Sequence, residues 1–477
     1  MAGIGFELKK LFKKNSIFSV TAGAGYSALI TVGPTAIVMV TLIVLYMLLG
    51  ISDVTFKQRE LLSTTILYVF IFSSILTAGF NSVFSRYIAD KFFEEEFEGI
   101  LPSYYIGLAI LGVISTIIAL PFCYRLYTVG NVDIYFLISS YFLWISSIFL
   151  YFSMTYLHAT KDYRRIALSF LLGMLISIGL ALLFHSLQID VTHSILYALT
   201  IGFFIIASLV ASFIHKYFEA SDYGKSEVIS YIFHYKEIFI TNFLYFLGLY
   251  IHNFVFWSTD GRTLVAETMI SMQPYDMATC LALFTNISTL MIFIVMAETD
   301  FHDAYKNYME AVIGSTYDEI YMNKKKMFRI MKEQIIHVFA LQTVITAIIF
   351  IVFMIFLPQF GFSGLTMTIY PALAAGYLAI FLTYCLIIYL FYYNDNKGAM
   401  LVSIVFCAAI LIGSLWSSTL TVNLYGFGAF LGSLIGWSFG YFRLRYLEKN
   451  FEKHIFMKQK FLKIKTKDAG AHVVYKK

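Results

Sequence analysis

Residues Ile195 to His215 read ILYALTIGFFIIASLVASFIH, a run of 21 positions without one Asp, Glu, Lys or Arg. A helix needs about 20 apolar residues to cross the hydrocarbon core of a bilayer, so this stretch alone suffices for a span. It is not an isolated case. Similar runs lie at 24–49, 62–84, 104–124, 134–156 and 166–185 before it, and at 238–257, 277–297, 335–357, 368–392, 399–418 and 423–442 after it. The whole chain follows suit: of 477 residues 59% are hydrophobic and only 13% charged, with a mean hydropathy of +0.76. Soluble domains carry about a quarter charged residues. A soluble enzyme, a disordered scaffold and a secreted disulfide module are thereby excluded.

The expected fold is an all-α polytopic membrane protein with twelve transmembrane helices in two six-helix lobes. The halves join at the polar segment 218–236, which suggests parallel repeats about an axis along the membrane normal. The expected divisions are a basic amphipathic segment at 1–17, a first lobe at 18–217, the linker, a second lobe at 237–445 and a basic amphipathic tail at 446–477. The lysine-rich start before Phe18 resembles a signal peptide, but its apolar run is too long and reads as a retained first span.

Charge sets the orientation. With the N-terminus inside, thirty of the 34 lysines and arginines fall in cytoplasmic segments, against Lys57, Arg59, Arg125 and Arg262 outside. The positive-inside rule then places both termini in the cytoplasm, as in a plasma (inner) membrane protein. No span holds a Lys or Arg. Both termini interleave lysines with apolar residues and are expected to lie on anionic lipid, which disfavours nucleic acid as their partner.

Ionisable residues inside a membrane are costly and mark candidate sites. His252 lies mid-span with Asn253 beside it, and Asn242 precedes it by nearly three turns. Asp276 opens the eighth span, and Asn286 follows ten residues on, close to the same face. Two readings stand for this set: a polar stripe lining a pathway between the halves, or hydrogen bonding between helices of one bundle. Tyr250 and Trp257 join the pathway candidates because aromatic faces suit sugar rings, although Tyr and Trp also gather at membrane interfaces. Arg86 and Asp90, four apart, and Glu298 with Asp300 are candidates for a cytoplasmic gate or docking point; a structural clamp and a solvated helix end are the alternatives. Gly33 and Pro34 are a candidate hinge or fixed kink. Gly428, Gly432, Gly436 and Gly440, at four-residue spacing, predict close approach of a neighbouring helix.

No catalytic residue, metal ligand or cofactor is expected. The four cysteines, Cys123, Cys280, Cys385 and Cys407, sit in apolar surroundings without CxxC spacing, and P-loop, HExxH, GxSxG and DxD patterns are lacking.

The opening Met1-Ala2-Gly3-Ile4-Gly5-Phe6-Glu7-Leu8-Lys9-Lys10-Leu11-Phe12 resembles the start of the PelG family of the Pel exopolysaccharide machinery. Similarity continues in Ser85-Arg86-Tyr87-Ile88-Ala89-Asp90, in His252-Asn253-Phe254-Val255-Phe256-Trp257, in Gln273-Pro274-Tyr275-Asp276 and in Glu298-Thr299-Asp300-Phe301. The resemblance implies a flippase-like fold of the multidrug/oligosaccharidyl-lipid/polysaccharide superfamily, with two lobes around a central cavity. It also implies a growing polysaccharide rich in N-acetylgalactosamine as substrate, and as partners a cytoplasmic glycosyltransferase and a membrane protein that senses cyclic di-GMP. The residues add a constraint. Spans without cations suit a neutral glycan better than a lipid pyrophosphate, and spans without a central carboxylate give an ion gradient no obvious foothold. The expected mechanism is export driven by synthesis. An ion-coupled small-molecule antiporter and a non-transporting scaffold are the alternatives.

Overall fold

A computed structural model describes residues 33–51, 54–160, 162–218, 225–360 and 364–458. The first lobe contains α1 (Gly33–Leu48), α2 (Phe56–Glu94), α3 (Ile100–Thr128), α4 (Ile134–Ala159), α5 (Tyr163–Ser186) and α6 (Val191–Tyr217). A short helix, α7 (Lys225–His234), leads into the second lobe. That lobe contains α8 (Lys236–Phe256), a hairpin of β1 (Thr263–Val265) and β2 (Met269–Ser271), then α9 (Gln273–Asn286) and α10 (Ser288–Met296). After a π-turn at Ala297–Phe301 come α11 (His302–Gly314), α12 (Tyr317–Phe356), α13 (Gly364–Tyr392), α14 (Asn396–Ser418), α15 (Phe427–Lys449) and α16 (Phe451–Lys458).

Ten of the described helical segments are long and apolar enough to cross a membrane, α9 and α10 counting as one. The shorter apolar α1 and the glycine-lined α15 stand where the first and twelfth spans are expected. Helices suit this setting because every interior backbone donor is satisfied within its own segment. Polar residues mark where they begin. The Asp133 carboxylate accepts from the amides of Tyr135 and Phe136 at the start of α4, Asp162 accepts from Arg165 N at the start of α5, and Thr316 with Glu319 forms a capping box on α12.

Two apolar cores separate the lobes. One is built almost wholly from α1 to α7, the other from α8 to α16. The packing scheme repeats. In the first lobe α1 packs on α5, α2 on α4, α3 on α4, α4 on α6 and α5 on α6. Six spans later α8 packs on α14, α9 on α13, α12 on α13, α13 on α15 and α14 on α15. The parallel-repeat expectation, made from span count, thus has a counterpart in which helix touches which.

Three details differ from the sequence reading. The second and ninth spans overshoot the membrane: α2 has 39 residues and α12 has 40, each about 60 Å long at 1.5 Å per residue. No Pro or Gly stops them where the apolar run ends, so charged turns extend the helix. The eighth span is broken after Asn286, whose Nδ2 donates both to Ala282 O of its own helix and to Ala374 O of α13. The start of the tail is not a free interfacial helix. Phe451 and Ile455 of α16 are buried, and Phe451 packs on Tyr308, Phe328 and Tyr393. Residues 1–17, and the tail beyond 458, lie outside the described residues.

Candidate functional site

The lobes meet where α2 runs along α8. Trp257 stacks on Tyr68 with ring centroids 5.0 Å apart, Phe254 stacks on Phe72 at 5.5 Å, and Phe239 meets Phe80 edge-on at 5.0 Å. Gly79 allows this approach, since a Cβ there would lie 2.8 Å from the Phe239 ring. The opposite side of α2 faces its own lobe: Phe84 packs on Phe152 and Tyr156 of α4.

Between these two faces lies a third. Seven residues make nearly two helical turns and four make just over one, so Ser74, Asn81 and Ser85 share one side of α2. All three are half-buried. Tyr151 of α4 and Tyr250 of α8 flank this side from the two lobes, near Ser73 and Ser74. The Asn81 amide donates to Tyr151 O at 3.4 Å, while its Oδ1 has no hydrogen-bond partner. The result is a seam of hydroxyls, a buried amide oxygen without a partner, and phenol rings. Such a surface can hydrogen-bond and stack on a neutral sugar.

The other pathway candidates mostly turn inward. His252 is fully buried within the second lobe: the Tyr275 hydroxyl donates to Nδ1 at 2.9 Å, and Nε2 lies 3.3 Å from Tyr377 Oη. Tyr377 gives its proton to Leu249 O, so Nε2 must carry the imidazole hydrogen and Nδ1 must accept. Asp276 sits nearer the hairpin, in the first turn of α9. Its carboxylate accepts from Asn253 Nδ2 at 2.7 Å, Trp257 Nε1 at 2.9 Å and Met272 N at 3.0 Å. Asn286 joins α9 to α13 and takes a hydrogen bond from Thr346 on α12. Asn242 donates to Ile238 O one turn back on α8. The structure therefore assembles His252, Asn253, Asp276 and Asn286 into bonds between helices of one lobe. Tyr250 reaches the seam, and the Trp257 ring reaches across it.

Near the C-terminal end of α2, Arg86 pairs with Asp90 at 3.1 Å, and Asp90 accepts from the Tyr231 hydroxyl of α7. Burial and that bond push the Tyr231 hydroxyl far above the usual tyrosine range, so it remains a donor. Next to it, Lys91 gathers Glu94, Glu96 and Glu227 within 3.4 Å. Arg86 and Asp90 thus fasten the linker helix to the first lobe. Asp300 is exposed in the π-turn and borders a cavity of about 430 Å³ together with Asp303, Asn307, Lys326 and Glu333. The Glu298 side chain lies outside the described residues. Gly33 and Pro34 are in the first turn of α1 as described, and the residues before them lie outside it.

Sequence reasoning passed over Ser74, Asn81, Ser85 and Tyr151 because it sought ionisable groups. The signal was there in the seven-and-four spacing of small polar residues through an apolar run. Among the described residues no group of three or more His, Cys, Asp or Glu side chains is placed to hold a metal ion.

The sequence matches the family model for PelG, described as "Putative exopolysaccharide Exporter (EPS-E)", over residues 1–456. No curated protein matches it. Among solved structures it is similar to the Vibrio cholerae MATE transporter VcmN in the bent form: the TM-score is 0.62 at 13% identity, over 94% of this chain and 99% of that one. It is also similar to a multidrug resistance MATE family transporter of the MOP superfamily in two conformations. The outward-facing form gives a TM-score of 0.59 at 16% identity, over 90% of this chain and 96% of that one. The inward-facing form gives 0.53 at 15%, over 85% and 93%. At these identities the likeness is one of fold.

Proposed function

We propose, from the premise that this chain belongs to the PelG family, that it moves a growing, largely neutral, N-acetylgalactosamine-rich polysaccharide outward across the inner membrane. That the protein is a multi-pass membrane transporter follows from its family and its fold. The polymer is the Pel exopolysaccharide of biofilm matrix, delivered by a cytoplasmic glycosyltransferase whose synthesis drives it. A cyclic-di-GMP-sensing membrane protein completes the assembly, and both termini of this chain lie in the cytoplasm.

The observation that supports this reading is the chemistry of the seam. Its contacts, Ser74, Asn81, Ser85, Tyr151 and Tyr250, are all uncharged. A pyrophosphate-linked lipid would require cations in a medium of low dielectric constant, and no predicted span supplies one. A neutral sugar needs hydroxyl and amide partners with aromatic faces, and the seam offers both.

The test uses inverted membrane vesicles bearing the chain and its glycosyltransferase, fed labelled UDP-N-acetylgalactosamine. Polymer should become resistant to added glycosidase only when the chain is present. Asn81→Ala combined with Tyr250→Ala should lower the protected fraction about tenfold, equivalent to ~1.4 kcal/mol of lost interaction along the path. Polymer made in normal amounts and equally digestible with or without the chain would refute export through it.

A further inference from the structure

The hairpin of β1 and β2 belongs by connectivity to the second lobe, yet it is built into the first. Val265 and Met269 are buried in the first lobe's apolar core rather than in their own. Tyr68 of α2 holds the second strand from both directions: its hydroxyl donates to Ile270 O at 2.6 Å and accepts from Ile270 N at 2.9 Å. The same ring lies between Trp257 of the second lobe and Phe122 of the first. One turn away Thr64 Oγ1 is 3.4 Å from Ser271 Oγ. The tip fits against Gly130, where a Cβ would come within 2.7 Å of Ala266 O.

The tip is also under strain. Ala266 and Glu267 take φ values of 45° and 50°, a left-handed conformation that L side chains rarely adopt. A strained turn persists when surrounding contacts hold it, and such outliers gather at clamps and switches. The ladder of the two strands and the Thr268 N–Val265 O bond hold the turn from within. The contacts of Thr64 and Tyr68 that dock the hairpin cross between lobes, so parting of the lobes at the outer face would undock it.

We propose that this hairpin is the outer gate of the path: docked on Thr64, Tyr68 and Gly130 it keeps the outer end of the α2–α8 seam shut, and it must lift before substrate leaves. The proposal rests on the export reading for what passes, but not for whether the hairpin docks and lifts.

Two measurements test it. Thr64→Cys with Ser271→Cys places two thiols where hydroxyl oxygens lie 3.4 Å apart, so mild oxidation should join them. In the inverted-vesicle assay the oxidised protein should lose polymer protection, and reductant should restore it. The chain with only its native cysteines serves as control. Separately, in a Cys123→Ser background, an impermeant maleimide applied from outside should label Thr64→Cys slowly. Adding Tyr68→Phe keeps the ring and removes both bonds to Ile270, and should speed labelling about tenfold. A quantitative disulfide with undiminished export would overturn the gate. Failure to crosslink, with Thr64→Cys labelled as fast as an exposed loop position, would overturn the docking itself. If the reduced protein protects no polymer at all, the export reading fails, and the labelling rates alone still decide whether the hairpin docks and lifts.

Discussion

His252 carries the largest difference between residue type and residue role. A lone imidazole in the middle of a span marks a functional candidate by default, and the sequence leaves pathway and packing open. Its surroundings favour packing: both ring nitrogens are occupied by tyrosine hydroxyls, and the ring is fully buried. Replacing His252 with Ala would leave the Tyr275 hydroxyl unpaired and a cavity behind it, costing about 2–4 kcal/mol of stability. Thermal unfolding in detergent should register that loss, while export per folded molecule stays close to normal. A collapse of export without loss of stability would return His252 to the path. The side-chain partners were not legible because they come from α9 and α13, which sequence separation does not bring together. Asp395 gives a pH dependence. Burial pushes its carboxyl up, but the two-point pairing with Arg443 at 2.7 and 3.0 Å outweighs that and holds it below the usual carboxylate range. A carboxyl depressed on folding contributes stability at neutral pH, which is lost as pH falls below about 4 through the folded value. Asp395→Asn should therefore lower the unfolding temperature at pH 7 and flatten its decline in acid. An unchanged acid limb would refute the assignment.

At the scale of elements, the glycines of α15 behave as their spacing suggests. A Cβ on Gly432 would lie 2.5 Å from Ile410 Cα, and one on Gly428 would meet the Gly413 carbonyl of α14. Gly432→Val should force α14 and α15 apart and cost at least about 2–3 kcal/mol, read as lost expression or a lower unfolding temperature. Gly179, with nothing within 4 Å of its would-be Cβ, is the control: Gly179→Ala should be neutral or stabilising by up to about 1 kcal/mol. Equal damage from both would mean that close packing is not what the α15 stripe provides. Periodicity exposed this contact because the four-residue repeat survives in the sequence. It did not expose the hairpin, whose short strands carry no long alternation, nor the extra turns of α2 and α12, which hydropathy cannot separate from loop.

For the whole molecule, the all-α polytopic fold was legible in the apolar runs, ten of which are described helical segments long and apolar enough to span a membrane. The line along which the lobes join was not, because it depends on which face of α2 meets which helix. That line is where the account can be tested most directly. Photo-crosslinkers placed singly at Asn81 and Ser85, and at the outward-facing Ile117 of α3 as control, would be combined with synthesis of labelled polymer in inverted vesicles. The account expects label on the protein from positions 81 and 85 and none from position 117, which is 65% exposed on the outer surface of the helix bundle. Polymer protected from glycosidase with no label at 81 or 85, or with equal label at 117, would contradict a path along the seam between the lobes.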